Sequence, residues 1–66
     1  MKNNIRVARA EVRMTQQQLA DAADVRRQTI NAIESGKFVP STVLALKIAQ
    51  IFGKRVEEIF ILEDSD

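Results

Sequence analysis

Arg27, Gln28 and Asn31 stand within five residues of one another, and all three side chains suit the edges of base pairs. Arg offers a fork of donors that matches the two acceptors of guanine in the major groove. Gln or Asn can pair with both the amino group and the ring nitrogen of adenine. Ala32 follows, able to touch a thymine methyl group or simply to leave room. Helical geometry decides whether these groups act together. If Ile30 and Ile33 are buried, Arg27, Gln28 and Asn31 turn outward on one face with Ala32 at its flank. Arg26, Thr29, Ser35 and Lys37 border that face and are candidates for phosphate contacts, which orient a protein without reading sequence. A solvated helix surface would carry the same residue types, and on residue types alone both readings stay open. For Lys37 the rival reading is an ordinary loop lysine.

The elements that would position this face can be traced from punctuation and apolar spacing. A first helix over about Asn4 to Arg13 places Ile5, Ala8 and Val12 on one inward stripe. A second opens at Thr15, which can cap free N–H groups while Gln18 reaches back in a capping box. Leu19, Ala20 and Ala23 face inward, and the small Ala20 lets another helix approach closely. Asp24 and Val25 make a short turn, Asp being tolerant of left-handed backbone. The third helix spans about Arg27 to Ser35 and stops at Gly36. Lys37 to Pro40 reads as a loop with Phe38, and Val39 beside it, turned into the core. Ser41 caps a fourth helix, about Thr42 to Phe52, whose broad inner face is Leu44, Ala45, Ile48, Ala49, Ile51 and Phe52. Val43 and Leu46 fall off that face. Gly53 ends it, and a short fifth helix over about Val56 to Phe60 buries Val56, Ile59 and Phe60. The tail Ile61-Leu62-Glu63 suits a short strand.

Composition narrows the chemistry. The 66 residues make one domain, with 45% apolar residues to form a core. There is no Cys and no His, which removes disulfides, thiolate metal sites and the commonest general acid/base. No Gly-rich phosphate loop is present, and no paired carboxylates occur outside the tail, so an enzyme is not expected. No cofactor is expected either. Nothing resembles a signal peptide, and no apolar run approaches the ~20 residues that span a bilayer. A cytoplasmic domain with no membrane contact is the expectation. Net charge is only +1, but it is unevenly spread. Residues 1–55 hold all ten Lys and Arg against four acids, whereas residues 56–66 hold five acids and no base. A basic body suits a polyanion, and the acidic end should face away from it. Ordinary solvated faces would account for the charge equally well.

Two short helices joined by a tight turn, about residues 15–35, form a helix-turn-helix arrangement. The stretch from Met14 to Lys37 resembles the Cro-type, or Xre-like, helix-turn-helix family of phage and bacterial transcriptional regulators. The carrying motifs are Thr15-Gln-Gln-Gln-Leu-Ala20, Arg27-Gln-Thr-Ile30 and Ile33-Glu-Ser-Gly-Lys37. The likeness continues through Pro40-Ser41, Ala45 to Ala49 and Val56 to Phe60. The short length and apolar tail are similar to stand-alone dimeric members. The resemblance implies an all-α, five-helix lambda-repressor-like DNA-binding domain, with a short C-terminal β-strand allowed. It implies that Arg27, Gln28 and Ala32 contact bases in the major groove and that Gln16 contacts the phosphate backbone. It also implies that Arg9 pairs with Glu34, bracing the first helix against the third. Arg6 and Arg13 are then plain solvated charges. Three positions depart from the family pattern. Arg26 and Arg55 stand where Ser or Thr usually caps a helix, and Asp24 stands where the turn usually has Gly.

One module of this size makes few base contacts. Two-fold dimers read two half-sites roughly 34 Å apart and so gain specificity. The expected partners are therefore double-stranded DNA and a second copy of the chain, with no small-molecule effector. The expected dimer surface is Val43, Leu46, Phe60, Ile61 and Leu62, with pairing of the tail strand between subunits as one form of it. The expected activity is sequence-specific transcriptional regulation, as a repressor on a palindromic operator. The alternative is an antitoxin-type protein-binding module that also represses its own operon.

Overall fold

The computed structural model describes all 66 residues, Met1 to Asp66. Five helices follow one another: α1 Ile5–Glu11, α2 Gln16–Ala23, α3 Arg27–Glu34, α4 Thr42–Phe52 and α5 Val56–Ile59. Two-residue strands lie at either end, β1 Lys2–Asn3 and β2 Phe60–Ile61. They pair antiparallel, Lys2 opposite Ile61 and Asn3 opposite Phe60. No helix is long and apolar enough to cross a membrane.

Helix starts follow the sequence closely. Thr15 accepts from the Gln18 N–H at 3.0 Å, and Gln18 Oε1 accepts from the Thr15 N–H at 2.9 Å, so the capping box is complete. Ser41 Oγ accepts from the Leu44 N–H at 3.1 Å. At Arg55 only half a box forms. Glu58 accepts the Arg55 N–H at 3.0 Å, and an Arg side chain has no acceptor to return the bond. That backbone bond, first of all, holds the Glu58 carboxyl below its usual range.

Helix stops share one design. After α1, α2, α3 and α4 a residue takes a left-handed conformation, and the next N–H bonds back five residues. The bonds are Met14 to Arg9 at 2.9 Å, Val25 to Ala20 at 3.0 Å, Lys37 to Ala32 at 2.9 Å and Lys54 to Ala49 at 3.0 Å. Gly36 and Gly53 fill the left-handed position in two of these stops, and Arg13 and Asp24 fill it in the other two. Asp24 thus does the work of the family's usual Gly.

The core is one cluster: Ile5, Ala8, Leu19, Ala20, Ala23, Ile30, Ile33, Leu44, Ile48, Ala49, Ile59 and Phe60. It gathers side chains from every helix, so α3 is held by packing on all its neighbours. Full burial of each large aliphatic side chain contributes about 1.5–3 kcal/mol.

Four expectations need correction. Val12 is exposed, because α1 ends at Glu11 and the left-handed Arg13 turns the chain away. Phe38 and Val39 are also exposed, while Pro40 is the buried residue of that loop. The Lys37 and Phe38 N–H groups both return to the Ala32 carbonyl, which turns Phe38 outward. Phe60, expected on a dimer surface, is 8% exposed and belongs to the core. Finally, the strand near the tail comprises Phe60–Ile61, and one of its edges is occupied by β1 of the same chain.

Candidate nucleic-acid interface

Helix α3 begins with Arg27 and Gln28 in its first turn, and both are exposed. Ile30 and Ile33 are at 0% and 1% exposure on the opposite side. Burial of that pair therefore projects Arg27, Gln28 and Asn31 together, with Ala32 half-buried at the flank. Arg26, Ser35 and Lys37 are exposed around this face, and Thr29 is half-buried. Ser35 Oγ donates to the Ala32 carbonyl at 3.1 Å, so that hydroxyl is already engaged with its own helix.

Asn31 differs from Gln28. Its Oδ1 accepts from Gln16 Nε2 at 3.3 Å. A bidentate pairing with adenine needs both the oxygen and the amino group, and here the oxygen is shared. The Asn31 amino group remains free to donate. Gln28 keeps both ends of its amide available. Gln16 also reaches Glu34 Oε1 at 3.4 Å, so its side chain ties the first turn of α2 to α3.

The carboxylate of Glu34 would oppose a polyanion if it were free. It is not: its side chain is 1% exposed. Arg9 Nε donates to Oε2 at 2.7 Å and Nη2 to Oε1 at 3.0 Å, a two-pronged pair. Arg9 Nη1 also donates to the Met14 carbonyl at 2.9 Å. The hydrogen bonds to Glu34 raise the Arg9 pKa above its ordinary value, so the guanidinium stays charged. Arg6, expected as a solvated charge, has a side chain 78% exposed, with its Nε 3.7 Å from Glu34 Oε1.

One positioning residue carries no clear sequence signal. Asn3 Nδ2 donates to the Ile33 carbonyl at 2.9 Å, and Asn3 Oδ1 accepts the Ile5 N–H at 3.2 Å. Asn3 thus satisfies the first N–H of α1 and ties β1 to the end of α3. The opposite end is bare. Arg26 occupies the N-cap position in extended backbone and makes no side-chain cap bond. The first N–H groups of α3 are left for another acceptor.

No group of three or more His, Cys, Asp or Glu side chains gathers to hold a metal ion. The site is a polar, cationic face on a braced helix. It can donate and accept hydrogen bonds in a groove.

Comparison with known proteins agrees with this geometry. A helix-turn-helix family model matches residues 5–59. The chain is 52% identical over 66 residues to an uncharacterized HTH-type transcriptional regulator of Methanocaldococcus jannaschii, covering 100% of both chains. It is 47% identical to an uncharacterized HTH-type transcriptional regulator of Archaeoglobus fulgidus, covering 100% of this chain and 94% of the relative. It is 42% identical to YgzD of Bacillus subtilis, named in the same way, again covering 100% of both. With the two helices, their left-handed turn and the outward polar row in place, the chain belongs to the Xre-like helix-turn-helix family of transcriptional regulators.

Proposed function

We propose that the protein binds a palindromic operator in double-stranded DNA as a homodimer and represses transcription by occupying it. The observation that carries this reading is the outward row of Arg27 and Gln28 on a helix whose carboxylate is buried and paired. Arg27, Gln28, Asn31 and Ala32 read bases. Arg26, Thr29 and Lys37 flank them on the phosphates, Arg26 and Lys37 as cations, and Gln16 and Ser35 join them when phosphate displaces Asn31, Glu34 and the Ala32 carbonyl as acceptors of their side-chain donors.

The dimer reading rests on the exposed apolar groups Val43, Leu46, Ile61 and Leu62. Val43 and Leu46 border an open groove of about 660 Å³ that Val56 also lines. Unpartnered apolar groups of this kind favour a covered surface.

Selection of bound sites from random duplexes, with native mass measurement of the complexes, tests the reading. The expected result is a two-fold symmetric site holding two protein chains. A protein that binds no duplex at low salt would end the proposal. A single asymmetric half-site with one bound chain would remove the dimer from it. A reporter placed behind the selected site should fall in expression when the protein is supplied, and a rise would exclude repression.

A further inference from the structure

We infer that Phe38 is a specificity-determining residue that, with Ala32 and Thr29, forms an apolar seat for the 5-methyl group of thymine. The inference rests on the DNA-reading role proposed for α3 and adds to it.

The observation is an exposed aromatic ring beside α3. Phe38 is 49% exposed, although the loop around it is pinned rather than free. Both the Lys37 and Phe38 N–H groups donate to the Ala32 carbonyl, at 2.9 and 3.2 Å. The backbone is thereby fixed against the last turn of α3. An open depression of about 300 Å³ lies there, lined by Gln28, Thr29, Ala32 and Phe38. Phe38 and Ala32 are its apolar lining, with Thr29, whose side chain carries a methyl group, and Gln28 completing it.

The occupant follows from continuity and from chemistry. Gln28 and Ala32 lie four residues apart on the outward row, so the depression opens on the face proposed to enter the groove. Lys37 is adjacent and exposed, which draws phosphate to this side. The apolar group that a base pair displays in the major groove is the thymine methyl, and Ala, Thr and Phe side chains are suited to it. A second copy of the chain seated here would cover Gln28. Thymine beside an adenine read by Gln28 uses both parts of the surface at once.

The test uses the full chain and duplexes carrying its selected site. Thymines are replaced one at a time by deoxyuridine, which removes only the methyl group. The expected result is about a fourfold weaker binding at one fixed position per half-site, the effect of one buried methyl-sized group. Phe38→Ala should bind the thymine duplex more weakly yet lose the discrimination at that position. Phe38→Leu should keep part of it. Equal binding of every deoxyuridine duplex by the unaltered protein would overturn the inference and leave DNA reading intact. So would full discrimination by Phe38→Ala, or an equal loss on all duplexes accompanied by dissociation into monomers. Failure of the unaltered protein to bind any duplex would instead overturn the proposed function, and this inference with it.

Discussion

The two ends of α3 are built oppositely. At the C-terminal end almost every polar group has a partner within the chain. The Ala32 carbonyl receives Lys37, Phe38 and Ser35, the Ile33 carbonyl receives Asn3, and Glu34 holds Arg9 and Gln16. At the N-terminal end Arg26 caps nothing, and Arg27 and Gln28 project freely. The difference separates two tasks along one short helix. One end supplies rigidity, and the other keeps hydrogen-bonding capacity for a ligand. Rigidity at the far end lowers the ordering cost when the near end binds.

The comparison can be broken most severely at the braced end. Arg9→Met leaves the Glu34 carboxylate buried without its guanidinium and should cost about 3–5 kcal/mol in stability. Glu34→Gln should cost less, because Arg9 is 16% exposed and can reach water. Chemical denaturation of both variants checks the order, and equal losses would refute it. At the open end the outcome should invert. Gln28→Ala should leave the unfolding midpoint nearly unchanged and weaken operator binding by about 1–3 kcal/mol, relaxing base preference at one position per half-site. A comparable loss on scrambled duplexes would contradict base reading. Arg26→Ser sharpens the contrast by supplying the missing cap. It should raise stability by about 1 kcal/mol while weakening binding to all duplexes alike. A lowered unfolding midpoint would show that the N-terminus of α3 is already satisfied in another way.

The smallest effect belongs to the seam behind α3. The Met1 ammonium lies 3.0 Å from Asp66 and 3.3 Å from Glu63. Those bonds, led by Asp66, raise the ammonium pKa above 8.0. A backbone bond from Glu63, followed by the ammonium, lowers Asp66 below 3.8. The ammonium's contribution is thus present below pH 8 and lost as pH rises through its elevated value. The Asp66 contribution is present above its ordinary range and lost as pH falls through its depressed value. Thermal midpoints at low salt should show a shallow plateau between these limits, and Asp66→Asn should flatten it. An unchanged profile in that variant would exclude the contact.

Much of this arrangement is legible in the sequence. Thr15 with Gln18, Ser41, Gly36 and Gly53 mark helix ends by side-chain chemistry and backbone freedom, and the helices lie where these residues put them. The Ile30 and Ile33 spacing likewise gives the outward face of α3. What escapes is local backbone. Arg13 takes a left-handed conformation that its side chain does not announce, so the apolar spacing points Val12 inward although it is exposed. Phe38 looks like a core residue by type, but two main-chain bonds to Ala32 decide its direction. The strands are two residues long, too short for alternation to show, and Asn3 acts through a single amide that any surface Asn could carry. Gln16 shows a subtler limit. Its place at a helix start suits phosphate, but its contacts to Asn31 and Glu34 emerge only from the crossing of α2 and α3.

Pairing of Lys2–Asn3 with Phe60–Ile61 also bears on the sequence of events in folding. Joining residues 2–3 to residues 60–61 closes a very large ring, whose entropic cost is met only after local helices have collapsed together. The seam should therefore zip late and fray early. Its Asn4 amide, bound to the Ile59 carbonyl at 2.7 Å, should exchange hydrogen faster than the amides of Ile30 and Ile33. Equal protection at all three would mean that the ends come together as soon as the centre does. Because Asn3 belongs to this late piece, final stiffening of α3 would be among the last acts of maturation.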